Sequence, residues 1–94
     1  MIEIEPLALD LWLVTVRAKE TTEHRVRVRP EELQRLTAGA GTAEELLRAS
    51  FRFLLEREPN TSILAEFDLP VISRYFPEFE RELSRYLAKN STEQ

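Results

Sequence analysis

Arginine is the residue type whose spacing here most suggests chemistry. In His24-Arg-Val-Arg-Val-Arg29, Arg25, Arg27 and Arg29 alternate with valines, and alternate residues of an extended chain project from one side. A neighbouring strand in matched register adds Arg17 to the row. Guanidinium groups present planar donor forks that suit phosphates and base edges. The same row also suits a solvated outer face covered by Glu31, Glu32 or helix carboxylates in ordinary surface pairs.

The remaining chemical candidates stand alone. His24 is the single histidine, and no motif pairs it with a nucleophile or a second base. Ser50 lacks a Gly-x-Ser-x-Gly setting, and two glycines are too few for a phosphate loop. Glu56, Glu58 and Asp68 are ordinary helix-surface and capping types, with no spacing that marks a two-carboxylate active site. With no cysteine, disulfides, thiolate metal sites and thiol nucleophiles are excluded. One histidine leaves little for zinc. These residues point away from an enzyme and imply no cofactor and no metal.

The composition sets the class. A chain of 94 residues, 43% hydrophobic and 32% charged, suits one globular domain with a modest core. Its formal charge of -4 opposes generic attraction to nucleic acid, though a local basic face is compatible with it. No apolar run approaches the ~18–20 residues of a membrane helix, and the acidic opening Met1–Glu5 is unlike a secretory signal. A cytoplasmic location is the expectation.

Two strands are needed to position the arginines. Residues 9–18 and 24–29 are rich in β-branched and aromatic types, and Lys19–Glu23 between them reads as a hairpin loop. If Trp12, Val14 and Val16 share a buried face with Val26 and Val28, paired residues sum to an even number. The loop then holds three or five residues. A third strand over Ile2–Glu5 would sit at an edge and end at Pro6. Leu9, Leu11 and Leu13 fall on the face opposite Trp12 and are candidates for self-association as a homodimer, or for burial by the C-terminal helices.

Helices follow over about 30–36, 42–57, 62–75 in short pieces, and 77–88. Pro30, Glu31 and Glu32 suit a helix start, and Gly39 and Gly41 suit the break after it. Thr42 and Glu45 form a capping-box pattern. From there Leu46, Leu47, Ser50, Phe51, Phe53 and Leu54 gather on one side of an amphipathic helix. A short helical turn is expected over Ser62–Phe67, and Asp68 is expected to cap the turn beginning at Leu69. The last helix should bury Phe79, Leu83, Tyr86 and Leu87, with Lys89–Gln94 frayed beyond it. In this α+β arrangement the segment 62–79 forms a lid, with Asp68, Arg74 and Tyr75 as an edge for a partner.

The order strand, Pro-Glu-Glu-Leu, helix, break, capped helix over residues 24–58 resembles ribbon-helix-helix repressors and antitoxins, whose two-chain ribbon enters the DNA major groove. That resemblance implies base reading by Arg25, Arg27 and Arg29. The chain departs from the pattern in its short first helix, its preceding hairpin and its acidic charge. TTEHRVRV at 21–28, RASFRFLLEREP at 48–59 and SILAEFDLPVISRYFPEF at 62–79 also resemble a group of short, uncharacterised bacterial proteins. That likeness spans residues 10–83 and implies an intact domain, with no activity or site residue to transfer. The expected function is a non-catalytic interaction or regulatory module that self-associates, with a DNA-binding regulator as the alternative.

Overall fold

A computed structural model describes residues 1–92. The strands are β1 (Ile2–Ala8), β2 (Leu11–Arg17), β3 (Thr21–Arg27) and β4 (Glu66–Asp68). The helices are α1 (Pro30–Thr37), α2 (Ala43–Leu55), α3 (Val71–Tyr75) and α4 (Phe79–Thr92), with a 3-10 turn at Asn60–Ser62. The fold is α+β, with one four-stranded sheet in the order β1-β2-β3-β4.

Register between β2 and β3 follows the side-chain pattern. Trp12 pairs with Val26, Val14 with His24 and Val16 with Thr22, so the loop holds the three residues Ala18–Glu20, an odd number as the facing argument requires. The loop is shorter than Lys19–Glu23 because Thr21 and Thr22 join the ladder opposite Arg17 and Val16. Val14, Val16, Val26 and Val28 are buried.

Pro6 does not end the first strand. β1 runs through it to Ala8, with an irregularity between Pro6 and Ala8. Met1 and Arg17 exchange both backbone bonds, at 2.8 and 2.9 Å, and antiparallel alternation then turns the backbone of Ile2, Ile4 and Pro6 outward. Proline's missing N–H therefore falls on the free edge of the sheet, where it removes no ladder bond and discourages further pairing. The Arg48 guanidinium donates to the outward Ile2 carbonyl at 3.0 Å. Leu9 lies in the turn after β1 rather than on a strand, beside Asp10 with φ of 63°.

The segment expected to coil helically over 62–67 is instead a 3-10 turn followed by β4. This strand pairs parallel with β3, Val26 opposite Phe67, through Arg25 N–H to Ala65 O at 2.8 Å and Leu69 N–H to Arg27 O at 3.0 Å. A parallel pair needs a long crossover, and α1 with α2 supplies it. Asp68 ends β4 and caps nothing: the residue before α3 is Pro70, without a side-chain cap.

α2 begins as its sequence dictates. Glu45 N–H donates to Thr42 Oγ1 at 3.1 Å, and Thr42 N–H donates to Glu45 Oε1 at 2.9 Å. Its buried side, from Leu46 to Leu54, covers the even-numbered face of the sheet, and α4 packs on α2. Phe53 meets Phe79, Phe76 and Tyr86 edge-on at 5.1, 5.9 and 5.8 Å between ring centres. The Arg57 guanidinium lies 3.6 Å over the opposing Phe53 ring. Phe79, Leu83 and Tyr86 are buried and Leu87 half-buried. α4 starts two residues later than Pro77 and continues to Thr92, so residues 89–92 are helical. Glu93 and Gln94, also expected to fray, lie outside the described residues.

Candidate functional site

The helices cover the even-numbered side of the sheet, leaving the odd-numbered side open. Glu3, Glu5, Arg17, Glu23, Arg25 and Glu66 are exposed there. The arginines are answered by strand carboxylates rather than by Glu31 or Glu32. Arg17 Nε donates to Glu3 at 2.8 Å, Arg29 reaches Asp68 at 3.1 Å, and Arg27 sits 3.9 Å from the same carboxylate. Glu32 pairs with Arg35 instead. The Arg17 hydrogen bond holds the Glu3 carboxyl below the usual range. Among the described residues Arg25 has no ion-pair partner, and neither has Glu5.

Register places both charges in one row, with Glu66 of β4 directly beside Arg25 on its other side. Glu5 pairs with Leu13, and Leu13 with Arg25, so a half-buried leucine separates an acid from a base. Leu11 lies along β2 from Leu13 and is also half-buried. Leu9 is 86% exposed and Leu7 44% exposed at the same end of the sheet. β3 is bonded to β2 on one edge and to β4 on the other. Over Arg25–Arg27, where the arginines lie, neither edge is free to build a ribbon with a second chain.

The proposed edge of Asp68, Arg74 and Tyr75 is divided. Asp68 turns to the arginines, whereas Tyr75, 65% exposed, borders a pocket of about 180 Å³ between the end of α2, the 3-10 turn and α3. Arg74 is exposed beside it. Leu54, Ile63, Phe67, Ile72 and Phe76 line this pocket, and Glu58 is its one charged residue among those described. Burial pushes the Glu58 carboxyl above its ordinary value. The residue looks like a surface carboxylate in sequence because the segment 62–76, which half-buries it, folds back from beyond Pro59.

One wall of the pocket is fixed by a buried polar chain. His24 Nδ1 lies 2.8 Å from the Leu64 carbonyl, and His24 Nε2 lies 2.8 Å from Thr22 Oγ1. Asn60 Nδ2 donates to Thr22 Oγ1 at 2.8 Å and to Glu20 O at 2.9 Å. The carbonyl can only accept, so Nδ1 carries the ring proton and Nε2 accepts from the threonine hydroxyl. The ring lies 5.3 Å from that of Phe51. Ser50, the other lone candidate, donates to Leu46 O at 2.7 Å inside its own helix. Nothing in the spacing of Thr22, His24 and Asn60 signals their meeting.

Among the described residues no three His, Asp or Glu side chains converge on a metal position, and no helix is long and apolar enough to cross a membrane. Comparison of the chain with protein-family models, curated proteins and solved structures returns no match.

Proposed function

We propose that this chain is a non-catalytic, cytoplasmic interaction module that pairs with a second copy of itself through the open face of its sheet. The observation that carries this reading is the row Glu5, Leu13, Arg25. A twofold axis running along β2 above the face lays β1 of one copy over β3 of the other. Glu5 then meets Arg25 of the second copy, Arg25 meets its Glu5, and Leu11 and Leu13 meet their own counterparts on the axis. Such an isologous contact pairs Glu5 with Arg25 twice and covers the apolar centre. The same operation lays Glu3 over Glu23 of the second copy and Arg17 over its own counterpart, like charges that offset part of the gain. The three seven-residue strands that overlap, β1 to β3, spaced ~4.8 Å and rising ~3.4 Å per residue, give a shared face of roughly 14 by 24 Å. At roughly 700 Å² counted over both copies this is below the range of standard specific interfaces, so the dimer is weak, transient and concentration-dependent.

The interleaving of carboxylates with the arginines favours a protein surface over nucleic acid. The likeness to short bacterial proteins belongs to the same proposal and adds no binding residue to it. Sedimentation over a range of concentrations tests the reading, with mass rising from monomer toward dimer. An exposed ion pair is worth up to about 1 kcal/mol, and symmetry doubles each change, so Arg25→Glu should weaken association by about tenfold or more. An equimolar mixture of Glu5→Arg and Arg25→Glu should restore it, because each restored contact pairs opposite charges. A constant monomer mass, or reversals without effect, would overturn the proposal.

A further inference from the structure

Two of the three carboxylates at the end of α2 and the start of α4 are engaged. Glu56 accepts from the Tyr86 hydroxyl at 2.6 Å and Glu78 from Arg57 at 3.1 Å. The Glu58 carboxylate has neither a hydrogen bond nor a cation among the described residues, although the residue is half-buried against the apolar pocket. Its neighbour Arg57 cannot serve, being held on the Phe53 ring, on Glu78 and on the Phe53 carbonyl at 3.1 Å.

We infer that this pocket binds a small organic amine, with the ammonium on Glu58 and an apolar, ring-sized body against Ile63, Phe67, Ile72 and Phe76. The size follows from the volume. About 180 Å³ is close to the ~150 Å³ cavity that takes benzene, and well below the ~300–1,000 Å³ of pockets for larger ligands. The charge follows from Glu58, whose carboxylate gains the partner it lacks. The exposed Tyr75 ring at the border offers an electron-rich face to the same ammonium. The site is pre-formed: the His24 bond to Leu64 O, Ile63 N–H to Asn60 O at 3.2 Å and Phe76 N–H to Ile72 O at 2.9 Å hold its walls. A rigid site loses little freedom when the ligand enters.

Amide NMR titrations with phenethylamine and its neutral counterpart phenethyl alcohol test the inference. Phenethylamine should shift Ile63, Leu64 and Ile72 saturably, and the alcohol should bind about tenfold more weakly for want of the charge-assisted contact. Glu58→Gln, conservative at a half-exposed position, should erase that difference. Equal affinity for amine and alcohol, a preference that survives in Glu58→Gln, shifts centred elsewhere, or no binding at millimolar ligand would each overturn it.

Discussion

Replacing Thr22 with valine keeps the shape of the side chain and removes the hydroxyl that joins Asn60 to His24. In the native chain that oxygen accepts from Asn60 at 2.8 Å and donates to His24 Nε2, also at 2.8 Å. Thr22→Val therefore strands one lone pair on a fully buried ring and leaves one N–H of buried Asn60 with only the long contact to Val16 O at 3.4 Å. Each stranded group costs about 1–3 kcal/mol. Thr22 is itself half-buried, and water reaching it moves the sum toward the lower end, about 2–4 kcal/mol. A domain of this length has about 5–14 kcal/mol in all, so the loss is a large share, and it lowers the melting midpoint by more than about 8 °C. Asn60→Ala alone removes three donor contacts, to Thr22 Oγ1, Glu20 O and, at 3.4 Å, Val16 O, and costs about 1–3 kcal/mol. After Thr22→Val, however, one of those contacts is already lost, so the second change costs less than it does alone. Urea unfolding of both single variants and the double variant, at unchanged m, should give a coupling of about 1 kcal/mol. Additive costs, or a Thr22→Val cost below about 0.5 kcal/mol, would refute the directional chain.

Thr42→Ala removes one half of the capping box at α2 and should cost about 1 kcal/mol, read as a lower urea midpoint. Glu58→Gln should have a sign that depends on pH. A carboxyl whose affinity for its proton is raised in the fold favours the folded state in acid and loses that contribution as pH climbs through its raised value. The variant should therefore unfold at a higher urea concentration than the parent near pH 7, with the difference disappearing near about pH 3.

The parts of this fold that can be read from sequence are those set by neighbours along the chain. Thr42 and Glu45 lie three residues apart and form their box without help from the rest of the molecule. The parity of the β2–β3 register follows from valines that must face one core. Pro6 was misleading because its rule concerns bonds to a second strand, and its missing donor falls on the side of β1 that has none. The polar chain is less legible still: Asn60 reaches Thr22 across 38 residues, and His24 reaches Leu64 across 40. No local pattern encodes either meeting.

β4 shows how far a function can depend on such an element. Three residues, Glu66–Asp68, are too few to display alternation, and their pairing exists only because α1 and α2 carry the chain back beside β3. Yet this strand occupies the second edge of β3 and places Asp68 against Arg27 and Arg29. Without it, the arginine row would stand on an open-edged strand, the geometry a two-chain ribbon requires. With it, β3 is internal, two of the four arginines share one carboxylate, and Arg17 is held by Glu3. Arg25 alone in the row is left without an ion pair. The chemistry of the row therefore passes from a shared cationic surface to one arginine without an ion pair, flanked in register by Glu66 on β4 and, on the far side of Leu13, by Glu5.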